Sequence, residues 1–208
     1  VFPRAGSLQF IASDLVSNAM ARKPEGFEQF ARVLGVDVAR HGDDQSVILV
    51  RQANCVSKVE RLREPNLMVL ADIVAMRIHE LKPDAVFVDA TGMGWGVIDR
   101  LRQLNFGDLV MPVQVGEAAG DRTRYVLKRD ELWGKAKEWL AEGGCLPRDA
   151  ELESDLCSPQ YGYDKAMRIK IESKDDMKKR GVDSPDDGDA LALTFAAPIA
   201  AKRKQVQA

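Results

Sequence analysis

The sequence predicts an α/β domain on a mixed sheet, its first three strands antiparallel and its later strands parallel, with helices on both faces. Three observations carry this expectation. From Val33 the run VLGVDVA is apolar apart from Asp37, the pattern of a strand buried on both faces. A polar loop at 40–45 turns the chain back into SVILVRQ and then into the alternating segment 53–61, which completes a three-strand meander. Downstream, AVFVD (85–89) and LVMPV (109–113) are separated by a stretch with helical apolar spacing, the mark of a strand, crossover helix and strand.

The remaining elements follow in order. Before the first strand, Leu15, Val16, Ala19 and Met20 share one face of a short helix over Ser13 to Arg22. Pro65 and Asn66 start a helix at Leu67 whose Leu70, Ala71, Val74, Ile78 and Leu81 fall at helical spacing up to Lys82 and Pro83. The small-residue loop ATGMGWG leads from Asp89 into a helix with Val97, Ile98, Leu101 and Leu104 on one face. A long helix over Tyr125 to Glu142 buries Leu132, Trp133, Ala136, Trp139 and Leu140, and Gly143 and Gly144 stop it. After a short helix near Asp149 to Leu156, segments 158–163 and 167–172 flank a turn at Asp164 and Lys165 and read as a hairpin, followed by a basic helix. In SPDDGDALALTFAA, Ser184 is the expected cap, Pro185 the first helical residue, and the acids crowd the first turn, where the helix dipole favours them.

Composition bounds the function. A chain of 208 residues with 45% apolar content can bury a continuous core. Its 30 Lys and Arg against 32 Asp and Glu leave −2, so a polyanion would need a local basic patch. Cys55, Cys145 and Cys157 lack metal-ligand spacing and are expected to be reduced thiols, which excludes zinc and a disulfide framework. No apolar run reaches the roughly 20 residues of a membrane span, and VFPRAGSLQF lacks the plan of a signal peptide, so a soluble, unexported chain is expected. The start at Val1 is expected of a domain excised from a longer polypeptide.

Three places put carboxylates where a carboxylate is costly: Asp37 within a buried strand, Asp89 at the end of another, and Asp186 with Asp189 on an otherwise apolar helix. Taken singly, each has an ordinary explanation as a loop-amide acceptor, a helix cap or a response to a helix dipole. Taken together, acids ending neighbouring strands and an adjoining helix can converge into one divalent-cation site. Carboxylates without His or Cys suit Mg²⁺ or Mn²⁺, whose natural partner is a phosphodiester. Two such ions about 4 Å apart need a bridging carboxylate, and Asp37 is the candidate.

GVDVARHGDD with SVILV, then VFVDATGMGWGV, then IKIESKDDMKKRGVDSPDDGDALALTFA together resemble the C-terminal nuclease domain of the large terminase subunit of tailed bacteriophages, from about Gln9 through Ala197. The resemblance implies the RNase H-like fold shared with integrases and Holliday-junction resolvases. It places catalytic and metal-binding roles on Asp37, Asp89, Asp186 and Asp189. The resemblance implies Ala directly before the last acid, whereas this chain has Gly188, which is expected to loosen the first helical turn. The implied activity is a two-metal, Mg²⁺- or Mn²⁺-dependent endonuclease that cleaves double-stranded viral DNA concatemers during packaging. The implied partners are double-stranded DNA, an ATPase motor domain of the same full-length polypeptide, the small terminase subunit and the portal, with no membrane, in the cytoplasm of the infected bacterial host. The implied division is an interdomain linker over 1–30, the nuclease domain over 31–198 and a frayed tail over 199–208. No GxxxxGK followed by Ser or Thr is present, so the motor itself is not expected in this chain.

Between 165 and 180, seven Lys and Arg against three acids leave +4, and Arg168, Lys170 and Lys174 are the candidates for DNA backbone contact, with a solvated hairpin as the alternative. ATGMGWG does not match the dinucleotide loop GxGxxG and reads as a turn beside the site. Asp43 and Asp44 read as loop solvation; His41 stands near Asp37 either as a proton-transfer aid or as plain surface. His79, Trp133 and Trp139 read as structural. The alternatives to a terminase nuclease are a sugar-kinase or actin-like ATPase, which needs far more chain, a nuclease-like DNA-binding module without activity, and a Holliday-junction resolvase-like nuclease.

Overall fold

The computed structural model describes residues 8–39 and 45–201. Its sheet is built from β1 (Arg32–Asp37), β2 (Ser46–Gln52), β3 (Cys55–Leu62), β4 (Ala85–Asp89) and β5 (Val110–Val113) in the order β3-β2-β1-β4-β5. β1 pairs antiparallel with β2 and β2 with β3, whereas β1, β4 and β5 run parallel. The expected α/β class with a mixed sheet is what the chain adopts, and β1 lies at its centre.

Strand side chains alternate between faces, so each strand feeds two cores. Leu34, Val36, Val86 and Val88 pack with Leu70, Ala71, Val74 and Ile78 of α2 (Leu67–Leu81) and with Val97, Ile98 and Leu101 of α3 (Gly94–Gln103). Val33, Ala85 and Phe87 face the other way, toward Leu132, Trp133 and Leu140 of α4 (Lys128–Ala141) and Leu191 of α7 (Asp186–Leu193). The same alternation sends Gly35 and Asp37 of β1 and Asp89 of β4 to the α4 and α7 face.

Gly35 sets how closely α7 approaches. A Cβ built there would collide with the Ala190 carbonyl oxygen and stand 3.0 Å from Thr194 Cγ2. The helix therefore lies directly on the central strand, with Asp186 and Asp189 beside the end that carries Asp37.

Helix starts follow tertiary pairing where local signals fall short. Asn66 caps α2 by accepting from the Met68 and Val69 amides, as the sequence predicts. The helix expected from Tyr125 begins at Lys128 instead, because Ile169 N donates to Arg124 O and Val126 N donates to Ile169 O, which holds the preceding residues extended. Asp130 then accepts from Leu127 N and Ile171 N, tying α4 to the hairpin formed by β6 (Tyr161–Tyr163) and β7 (Ile169–Ile171). α7 begins at Asp186, with Pro185 in the cap position and Ser184 Oγ buried without a partner among the described residues. The missing local cap is supplied from elsewhere: Asp155 on α5 (Ala150–Cys157) accepts from Asp187 N.

The described part of segment 1–30, read from sequence as a linker end, is packed against the domain. Phe10 N donates to Pro159 O and Tyr161 N to Leu8 O, and Val16 and Ala19 of α1 (Ser13–Ala21) are buried. Arg22 Nη1 donates to Leu140 O and Gly144 O. Among the described residues, no helix is long and apolar enough to cross a membrane.

Because the collision at Gly35 is with backbone, which cannot rotate away, Gly35→Ala is expected to lower stability by about 3 kcal/mol, the upper range for overpacking. Urea denaturation of the two proteins checks this, with a shifted midpoint and unchanged slope as the expected result.

Candidate metal-binding site

Parallel β1 and β4 end side by side, with Val36 paired to Val88, so Asp37 and Asp89 emerge together one step further along. α7 adds Asp186 and Asp189, separated by about 300° of helical rotation and so on one face. The four acids line a cavity of about 450 Å³ together with Arg129, Lys170 and Lys174. Asp37, Asp186 and Asp189 are buried.

Buried carboxylates this close need a cation. It is supplied by Lys174, at the start of α6 (Lys174–Lys179). Its Nζ lies 3.0 Å from Asp37 Oδ2, 3.0 Å from Asp186 Oδ1 and 3.1 Å from Asp189 Oδ2. Burial opposes the ammonium charge, yet the attraction of Asp37, Asp189 and Asp186 holds its pKa well above the ordinary lysine value.

The acids differ in what steadies them. Burial pushes Asp37 up to about 7, opposed by Lys174 and reinforced by Asp189, Asp186 and Asp89. Burial also raises Asp89, while the Thr91 amide, donating to Oδ1 at 2.8 Å, pulls it back. Burial acts on Asp189 too, but Arg129 and Lys174 outweigh it and bring it down to about 2. Asp189 Oδ1 accepts from Arg129 Nε at 2.9 Å and Trp133 Nε1 at 2.7 Å, and Asp186 Oδ2 accepts from Gln45 N at 3.3 Å. Among the described residues, no group of three or more His, Cys, Asp or Glu stands ready to hold a metal ion; the oxygens close on Lys174 and their own donors instead.

The three expected DNA-contact residues go to different places. Lys174 is among the carboxylates, not on an exposed hairpin face. Arg168 is bound to Asp164 across the hairpin turn, with Nη2 at 2.6 Å from Oδ2. Lys170 lies on the cavity wall. His41, Asp43 and Asp44 fall outside the described residues.

Asp187, in the same turn, points away from Asp186 and Asp189 into a pairing of its own. It is completely buried, and Arg61 of β3 grips it with Nε, 3.0 Å from both oxygens, and with Nη2. Arg129 and Trp133 were not singled out in sequence as site residues. Their one signal is the i, i+4 spacing that places a guanidinium and an indole N–H on the same face of α4.

This arrangement of sheet, hairpin and acid-bearing terminal helix is the RNase H-like fold of large-terminase nuclease domains. The nuclease domain of the large terminase subunit of bacterial virus Sf6 superimposes with a TM-score of 0.78 at 17% identity, covering 91% of this chain and 99% of that one. A point mutant of the Sf6 domain solved with manganese gives 0.77 at 16%, covering 91% and 100%. The large terminase nuclease of thermophilic phage G20c with bound magnesium gives 0.65 at 17%, covering 93% and 98%. At these identities the likeness is one of fold. No protein-family model and no curated protein matches the sequence.

Two predictions follow from the acids outside the cavity. Asp187→Ala leaves Arg61 beside Asp149 and Glu151 but removes its buried partner. It is expected to cost about 2–3 kcal/mol, below the full value for a buried pair because Arg61 retains some solvent. Thermal melting checks the loss. Asp155 is pushed up to about 8 by burial first and then by the charges of Asp187, Asp186 and Glu151, against the Asp187 amide. A raised folded-state pKa stabilises fully below the unfolded value near 4, and that contribution fades as pH rises through 8. Asp155→Asn keeps an acceptor for Asp187 N without a titrating proton, so its melting temperature should fall less than that of the parent between pH 4 and 8.

Proposed function

We propose that this chain is the nuclease domain of a large terminase, a metal-dependent endodeoxyribonuclease that cuts double-stranded DNA concatemers during genome packaging. The observation that carries this reading is the convergence of Asp37, Asp89, Asp186 and Asp189 from two strand ends and one helix on a single cavity. The likeness in fold to terminase nucleases solved with manganese and magnesium supports it.

The donor set fits hard divalent cations, because it is all carboxylate and it already gathers three oxygens around one cationic nitrogen. Asp37, Asp89, Asp186 and Asp189 would hold Mg²⁺ or Mn²⁺, Asp37 being the acid of the central strand. The chemistry a divalent cation would supply there is a lowered pKa for an attacking water and positive charge against a leaving 3′ oxygen.

The chain's own residues perform the rest. Lys174 reaches three of the acids at once and would keep them gathered until divalent cations took its place. Its aliphatic stem is long enough for the ammonium to swing toward a DNA phosphate once released. Lys170, on the cavity wall, contacts the backbone of the incoming strand, and Arg168 adds to this when it leaves Asp164. These contacts position DNA without reading its sequence. The motor domain, small subunit and portal of the full packaging machine, in the infected cell, are the partners this reading implies.

Plasmid nicking tests it. Mn²⁺ or Mg²⁺ should support cutting, EDTA should abolish it, and Asp37→Asn should eliminate it while leaving the melting temperature within a few degrees. Full activity in EDTA would overturn the metal mechanism. No nicking by the folded, Mn²⁺-loaded protein, with DNA binding retained, would leave the inactive binding module.

A further inference from the structure

Asp189 divides its two oxygens between unlike partners. Oδ1 accepts from Arg129 Nε and Trp133 Nε1, at 2.9 and 2.7 Å. Oδ2 faces Lys174 Nζ at 3.1 Å. A carboxylate with two fixed donors on one oxygen cannot rotate without breaking both hydrogen bonds, so its second oxygen has a set direction.

Both donors are themselves held. Trp133 is completely buried in the core of the α4 and α7 face. Arg129 also donates from Nη1 to Glu172 O at 2.9 Å, and Arg180 grips Glu172 with Nε at 3.0 Å and Nη2 at 2.7 Å. Arg129 Nη2 is buried and finds no partner among the described residues, while Nε and Nη1 are both engaged.

Gly188 explains how the indole comes so near. A Cβ there would stand 2.7 Å from Trp133 Cζ2, inside contact distance, so the ring could not lie against the first turn of α7. The glycine expected to loosen this turn is instead the gap that admits a rigid donor.

We propose that Arg129 and Trp133 are positioning residues that lock Asp189 through Oδ1, so that it offers Oδ2 alone to a divalent cation, and that Gly188 is the space this lock requires. The inference rests on the metal-dependent reading above. It assigns these side chains a role toward the cation without making them ligands. Polar groups that orient a metal-binding side chain typically change affinity by about 10–100-fold when removed.

The test is Mn²⁺ binding to the full chain by titration calorimetry, independent of cleavage, with melting temperatures recorded alongside. Trp133→Phe keeps the ring and loses the N–H. Arg129→Lys keeps the charge but not a fork able to hold Asp189 and Glu172 O at once. Each should weaken Mn²⁺ by about 10-fold or more while the protein stays folded. In an Asp189→Ala background neither substitution should weaken Mn²⁺ further, because both act through that carboxylate. Wild-type affinity in either folded variant, or the same loss in the Asp189→Ala background, would overturn the proposal.

A metal-free measurement separates this from failure of the nuclease reading. The Trp133 indole N–H, followed by NMR, should be protected from exchange in the parent and lose that protection in Asp189→Ala. If the parent bound no Mn²⁺, the metal reading and the proposed role would fall together, and a protected indole would still show the lock to be real. An indole insensitive to Asp189→Ala would remove the lock itself, whatever the metal does. If Trp133→Phe did not fold, Arg129→Lys and the indole signal would decide the matter.

Discussion

Three buried carboxylates share one ammonium, and much of the architecture at this end of the sheet serves that balance. Asp37 on β1 and Asp186 and Asp189 on α7 repel one another, and the one ammonium that reaches all three offsets that repulsion. Lys174 does so from the start of α6, immediately after the hairpin strand β7. The path of the chain from the hairpin into α6 thus bears directly on the charge state of the cavity. A site neutralised internally can assemble before any ion arrives, and the same neutralisation means an incoming ion competes with an ammonium.

The first turn of α7 shows how one short stretch meets three different demands. Asp186 and Asp189 face the cavity, and Asp187 faces the opposite side, where Arg61 of β3 holds it. Asp155 closes the helix end by accepting from the Asp187 amide. The helix is therefore gripped from both sides, with its apolar run against β1 made possible by the bare backbone of Gly35. Burying Asp187 is costly by itself, and its pairing with Arg61 offsets the cost while fixing the rotation that aims its neighbours.

Two glycines serve this packing by lacking a side chain and not by adopting unusual backbone angles. Gly35 admits the α7 backbone to the central strand, and Gly188 admits the Trp133 ring to α7. Each removes a Cβ at a contact between elements that carry site residues. The precision of the acid cluster thus rests on positions that carry no chemistry themselves.

The change of the sheet from antiparallel to parallel and most helices were readable from the sequence because periodicity reports which faces are apolar. Asp37 and Asp89 stood out because a carboxylate ending an apolar run is locally anomalous, and Asp186 with Asp189 because their spacing shares a helix face. What those acids meet was not readable. Lys174 sits in a basic stretch whose local pattern suits an exposed surface, and only the folded hairpin carries it into the cavity. Trp133 has the spacing of a core residue and is one, yet its N–H contacts Asp189, because packing and hydrogen bonding use different edges of the same ring. α4 starts later than its local pattern suggests because Tyr125 and Val126 are held extended by the distant Ile169, and α7 is capped from another helix by Asp155. Local sequence determined which face each residue takes; the partners across those faces were decided by tertiary structure, because charge pairing and close packing act between segments far apart in the chain.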